Sequence, residues 1–127
     1  MTKILLVDDE NLILYSLSMT LKKDGSDVTA VANGKDAIGE ISRSPYTICF
    51  LDVNLPDANG YDLLKTMQQI SPATRVIMMS AIDPNEEQLR YLRKNACPFL
   101  AKPFDLEKVR SLVDDLSRTA GTAAHEA

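Results

Sequence analysis

Short apolar runs alternate with longer amphipathic stretches five times along this 127-residue chain. That alternation limits the fold more than any other feature. Strands separated by helix-length segments cannot close as hairpins, so they pair in parallel, and helices cover both faces of the sheet. Ile4-Leu5-Leu6-Val7 is a continuous apolar run that stops at Asp8-Asp9. A strand buried on both faces, with its carboxyl end at solvent, reads this way. From Glu10 to Lys23, Ile13, Leu17 and Leu21 recur at helical spacing, and Gly25 follows as a stop signal.

The remaining units repeat the pattern. Val28 to Ala32 reads as a weaker strand, and Asn33 caps a helix from Gly34 to about Ser42. Tyr46 to Leu51 is a strand ending at Asp52; after the loop VNLPDAN, Gly60 opens a helix through Leu63, Leu64 and Met67. Arg75 to Met79 is the fourth strand, ending at Ser80. Asp83, Pro84 and Glu86 then read as an N-cap, a first-turn proline and a capping-box acid for a helix reaching Lys94. Cys97 to Ala101 is a short fifth strand ending at Lys102-Pro103. Asp105 caps a last helix with Leu106, Val109, Leu112, Val113 and Leu116 on one stripe. From Arg118 the periodicity is lost, so residues 1–117 read as one domain and 118–127 as a tail or linker stub.

Composition removes several function classes. Fourteen basic residues face 18 acidic ones, net −4, and neither half hides a basic patch: residues 1–82 carry 7 bases and 10 acids, residues 83–117 carry 6 and 7. A nucleic-acid surface needs a local cationic excess, so direct binding of nucleic acid is not expected. No apolar run approaches a membrane span, and none reads as a signal peptide. Cys49 and Cys97 lie in apolar, strand-like surroundings without metal-ligand spacing, and the only histidine is His125. A reduced, cytoplasmic chain is the expectation.

The informative polar residues stand where strands end: Asp8-Asp9, Asp52, Ser80 and Lys102. In an open parallel sheet, ligands collect at the carboxyl ends of strands near the point where strand order reverses. If those strands are neighbours, three carboxylates, a hydroxyl and an ammonium meet in one shallow pocket. Clustered carboxylates repel one another unless a cation sits among them, and oxygen ligands with room for water suit Mg²⁺. A carboxylate can serve as nucleophile in phosphoryl transfer, with Mg²⁺ and a lysine neutralising the developing charge. Taken singly each residue has a plainer role: Asp8-Asp9 as helix caps, Asp52 as a turn residue, Lys102 as a solvated charge.

Four strings in order, LLVDDE, FLDVNLPDANG, VIMMSA and FLAKPF, resemble the receiver domain of two-component response regulators over about residues 2–117. The resemblance implies a flavodoxin-like (βα)5 three-layer α/β sandwich with a five-stranded parallel sheet in the order 2-1-3-4-5. It implies that Asp52 accepts a phosphoryl group, and that Asp8, Asp9, Asp52 and the backbone carbonyl of Asn54 hold Mg²⁺. Ser80 would be the switch hydroxyl, Lys102 the phosphate-binding lysine and Phe99 the switch aromatic. The Lys102–Pro103 bond would be cis. The implied partners are a sensor histidine kinase or phosphotransfer protein as donor and an output domain or effector protein beyond it, with dimerisation on phosphorylation also open. The implied activity is that of a switch whose helix 4, strand 5 and helix 5 surface changes, and which catalyses only its own phosphorylation and dephosphorylation.

Three features depart from the family pattern or qualify it. Asn95 stands where glycine is common, and asparagine tolerates a left-handed backbone. Pro98 removes a strand donor, which points to an edge strand. Phe99 has no hydroxyl, so a rotation would be read by packing, or Phe99 is plain core. A Mg²⁺-dependent phosphatase of the haloacid-dehalogenase type is the alternative, but Asn54, two residues after Asp52, cannot shuttle a proton. A flavin carrier fails for want of a Ser/Thr/Gly-rich phosphate loop after strand one. Ile82, two residues after the switch hydroxyl, either shields the approach of water to Asp52 or packs under helix 4. Leu12, Leu14 and Tyr15 add apolar area on the first helix, as a kinase-docking surface or as scattered exposed residues.

Overall fold

A strand that is apolar on both faces needs helices above and below it, and this chain supplies both layers. The structure, a computed structural model, describes the backbone of residues 1–126 and the side chains of residues 1–118. Strands β1 (Lys3–Val7), β2 (Asp27–Val31), β3 (Ile48–Asp52), β4 (Arg75–Ser80) and β5 (Phe99–Ala101) alternate with α1 (Asn11–Lys23), α2 (Gly34–Arg43), α3 (Gly60–Ile70), α4 (Glu86–Lys94) and α5 (Leu106–Glu126). All pairings are parallel, in the order β2-β1-β3-β4-β5. The architecture is the flavodoxin-like one that the resemblance implies.

Side chains alternate across each strand, so the sheet feeds two cores. Leu5, Val7, Cys49, Leu51, Val76 and Met78 pack with Ala37 and Ile41 of α2, Leu64 and Met67 of α3, and Leu92 of α4. Ile4, Leu6, Ile48, Phe50, Ile77 and Met79 pack with Leu17 and Leu21 of α1 and with Val109, Val113 and Leu116 of α5. β1 pairs with β2 on one side and β3 on the other, so the order reverses there. Asp8 and Asp52 stand at the carboxyl ends of the two strands that flank the reversal.

Several boundaries differ from the sequence reading. β5 begins at Phe99, two residues later than expected, and lies at a sheet edge where the missing N–H of Pro98 costs little. α4 is capped by Asn85, whose side chain accepts from the Gln88 N–H while the Gln88 side chain accepts from the Asn85 N–H. That box displaces Asp83 and Glu86 from their expected roles and leaves Pro84 before the helix. α5 continues to Glu126 instead of ending near Leu116. Ala120, Ala123 and Ala124 carry high helix propensity without needing an apolar stripe; the side chains of 119–127 lie outside those described.

The turn after α4 is also resolved differently. Asn95 has φ −100° and ψ 9°, and its side chain donates to the Tyr91 carbonyl; the left-handed residue is Ala96, at φ 50°. A Cβ at that φ costs about 1 kcal/mol, so Ala96→Gly is expected to stabilise the fold by about 0.5–1 kcal/mol. A higher urea midpoint at unchanged slope would register it.

Both cysteines are free thiols. Burial pushes the Cys49 thiol well above its ordinary range and that of Cys97 up to about 12, so both are inert at neutral pH. Cys97 Sγ donates to the Val76 carbonyl at 2.9 Å. On α1, Leu14 joins the core margin, whereas Leu12, Tyr15 and Met19 are exposed at helical spacing on one face. No described helix is long and apolar enough to cross a membrane.

Candidate functional site

Four strand ends deliver their polar residues to one place. Asp8 follows β1, Asp52 closes β3, Ser80 closes β4 and Lys102 follows β5. Asp8, Asp52 and Ser80 are at most 4% exposed, and burial to that degree is rare for carboxylates such as the first two without a partner. The partner is Lys102, whose Nζ lies 2.7 Å from Asp8 Oδ2, 3.0 Å from Glu10 Oε1 and 3.6 Å from Asp52 Oδ2. The ammonium therefore stands among three carboxylates that each bring one oxygen within 4.8 Å of the others.

The electrostatics follow from that geometry. Burial pushes the Asp52 carboxyl up to about 6 from 3.8, and the Asp8 charge adds to the shift, with a smaller push from Asp9. Lys102 and the Asn54 N–H oppose it without cancelling it. Burial disfavours the Lys102 charge, but hydrogen bonds from its ammonium to Asp8 and Glu10 outweigh burial and hold it above its ordinary range. Asp52 is thus an anion kept in a place that disfavours anions. An additional cation would relieve it, and a set of hard carboxylate oxygens fits a hard divalent ion.

Local structure fixes each group. Asp8 Oδ1 accepts from the Glu10 N–H at 2.9 Å, and Asp52 Oδ1 receives the Asn54 N–H at 3.4 Å. Asn59 caps α3, accepting from Tyr61 N–H at 2.8 Å and, at a longer 3.4 Å, from Asp62 N–H. The Gly60 N–H donates to the Val53 carbonyl at 2.6 Å. A Cβ at Gly60 would stand 2.5 Å from the Asp52 carbonyl oxygen and 2.6 Å from Val53 Cα, so this close approach excludes any side chain. Asp57 ties the loop after β3 to α2 by accepting from Gly34 and Lys35 N–H, bonds that hold its carboxyl below the usual range. Ser80 Oγ accepts from the Ile82 N–H at 3.1 Å, and the Lys102–Pro103 peptide is cis.

Asp8, Asp52, Ser80 and Lys102 come together as the strand ends indicate. Asp9 is exposed and outside the carboxylate cluster, and Asn54 is an exposed residue at its rim. Glu10, which sequence reasoning treated only as the start of a helix, supplies the third carboxylate. Its one visible signal was its place directly after the acidic pair. Phe99 is half-buried against the α2–α3–α4 core. Ile82 does not pack under α4: it is 71% exposed and, with Asn54, Ser80 and Asp83, lines a cleft of about 180 Å³ at the mouth of the site.

Relatives share this arrangement of chain. The chain is 37% identical over 125 residues to the response regulator protein PilR of Pseudomonas aeruginosa, covering 98% of this chain and 28% of that one. Among solved structures, a two-component response regulator from Clostridium difficile matches with a TM-score of 0.86 at 27% identity, over 93% of this chain and 97% of the other. The beryllofluoride-activated receiver domain of DrrB, from Thermotoga maritima, matches with a TM-score of 0.81 at 26% identity, over 93% and 98%. The family profile described as the response regulator receiver domain matches residues 4–114. With the fold, the strand-end site and these matches in agreement, the chain belongs to the receiver domain family of two-component response regulators and is a phosphorylation-dependent switch.

Proposed function

We propose that Asp52 is the phosphoryl acceptor, that a histidine kinase or phosphotransfer protein is the donor, and that Ser80 and Lys102 bind the group once it has arrived. The carrying observation is a nearly buried Asp52 carboxylate 3.6 Å from the Lys102 ammonium, on the strand next to Ser80. An Asp52 oxygen attacks phosphorus, the bond from phosphorus to the donor atom breaks, and the donor leaves with its electron pair. Lys102 then donates to a phosphoryl oxygen, and the Ser80 hydroxyl is drawn toward another. Mg²⁺ would supply charge neutralisation for the transferring group, and Asp8, Asp9, Asp52 and the Asn54 carbonyl are the groups that would hold it, with Glu10 beside them.

In this reading residues 1–117 form the switch and 118–127 are a tail or linker stub, and the switch acts on an output domain or effector protein in a cytoplasmic setting. The chain is not an enzyme acting on other substrates and does not itself bind nucleic acid. The exposed Leu12–Tyr15–Met19 face adjoins the site through the start of α1 and suits a donor protein with an apolar docking helix.

The lifetime of the aspartyl phosphate tests the geometry of the mouth. Hydrolysis needs a water in line behind phosphorus, and Ile82 offers it no hydrogen bond while presenting apolar bulk at the cleft. Ile82→Glu is expected to speed dephosphorylation about tenfold, equivalent to about 1.4 kcal/mol in the barrier. Phosphoryl decay after donor removal in excess Mg²⁺ measures it; equal rates would remove Ile82 from the water path.

A further inference from the structure

The N-cap of α1 breaks a rule that the other helices keep. Asn33, Asn59 and Asn85 cap α2, α3 and α4 by accepting first-turn N–H groups, and Asp105 accepts the Glu107 N–H at the start of α5. Glu10, at the N-cap of α1, makes no side-chain cap hydrogen bond. Its carboxylate reaches across the site instead and accepts from Lys102 Nζ at 3.0 Å, while its own N–H donates to Asp8. Among the described residues, Glu10 is the only exposed partner of a lysine side chain that is itself 9% exposed; its side chain is 60% exposed against 0% for Asp8 and 6% for Asp52. A long side chain that could move freely in water is held to one contact.

An ammonium has three donors. Here one goes to Asp8 and one to Glu10, and the Asp52 oxygen at 3.6 Å is within ion-pair range but beyond hydrogen-bond length. A phosphoryl group on Asp52 brings three strong acceptor oxygens that need the same ammonium. We propose that Glu10 is a positioning residue that tethers Lys102 in the unphosphorylated state and competes with the phosphoryl group for it. The inference rests on the proposed role of Asp52 and Lys102. It makes Glu10 a brake on the switch: loosening the tether lowers the cost of recruiting Lys102 and favours the phosphoryl-bound state.

Two substitutions separate the tether from simple repulsion. Glu10→Gln keeps the length and loses the charge; Glu10→Asp keeps the charge and loses the reach. Beryllofluoride, a non-covalent phosphoryl mimic, is titrated into the wild-type chain and both variants. Mg²⁺ is held saturating for each by its own titration, and the lysine ε-methylene signals are followed by ¹H–¹³C NMR. Both variants are expected to bind beryllofluoride about threefold to fivefold more tightly than wild type, the scale of one exposed ion pair. The Lys102 signal should differ from wild type before addition and coincide with it at saturation. Tighter binding by Glu10→Gln alone would assign the effect to charge and overturn the tether, as would unchanged or weaker binding by both. Absence of binding by the wild-type chain would instead overturn the proposed function of the site.

Discussion

Acetyl phosphate with Mg²⁺ is expected to add one phosphoryl group to the wild-type chain, a gain of about 80 Da in intact mass, and none to Asp52→Asn. The amide keeps the size of the carboxylate but lacks the anionic oxygen that attacks phosphorus. Its neighbours Asp8 and Lys102 are held by their own strands and by each other, so the substitution removes the nucleophile without dismantling the pocket. Chelating Mg²⁺ is expected to slow labelling of the wild-type chain at least tenfold, because the charge on the transferring oxygens is then met by Lys102 alone. A stoichiometric, stable label marks a switch; continuous release of phosphate marks a phosphatase. Full labelling of Asp52→Asn would move the acceptor elsewhere.

The same substitution should make the protein more stable, and by an amount that depends on pH. Asp52 titrates at about 6 in the folded chain and at 3.8 ordinarily, with burial the main cause. A folded-state value above the unfolded one favours the folded chain while the group is protonated. That contribution is complete below about pH 3.8 and is lost as pH rises through about 6. Above that, both states carry the charge, but the folded protein holds it buried while the unfolded chain leaves it in water. The interval corresponds to about 3 kcal/mol, which partial contact with solvent reduces to about 1–2 kcal/mol. In EDTA, Asp52→Asn is therefore expected to exceed wild type by that amount at pH 8, with the gap closing as pH falls toward 4. Mg²⁺ should stabilise wild type more than the variant, since an ion that binds only the folded form shifts the equilibrium toward it. A gap independent of pH would show that the carboxylate charge is not what the fold works against.

These effects centre on residues whose positions were legible because burial forced them. β1, β3 and β4 are buried on both faces, so their apolar runs had to stop where the strands leave the core for the polar pocket, and the stops are Asp8, Asp52 and Ser80. Lys102 was legible from its place at the end of β5, although that edge strand is only partly buried. Glu10 was not. An exposed glutamate beside a helix start has an ordinary local explanation, and its actual partner lies 92 positions away in the chain. The start of α4 misled for a local reason: Asp83-Pro84 satisfies one capping rule, but Asn85 with Gln88 satisfies a stronger one two residues on. The turn before β5 held the left-handed residue one position later than the Asn95 preference indicates, since Asn95 instead extends the helix by bonding back to Tyr91. The extension of α5 past Leu116 has no apolar stripe, only three alanines among polar residues and a glycine, and periodicity is blind to it.

The first residue of α3 lies against the Asp52 backbone, and this sets a limit on the variation the chain can carry. Gly60 bears no functional group, titrates nothing and contacts no ligand. Yet the smallest side chain placed there would lie 2.5 Å from the Asp52 carbonyl oxygen, against backbone that has no room to retreat. In a saturation library selected for signalling output, Gly60 is expected to be as invariant as Asp52. Selecting the same library for folded protein alone should part the two: Asp52 becomes tolerant, even improved by asparagine, while Gly60 stays fixed.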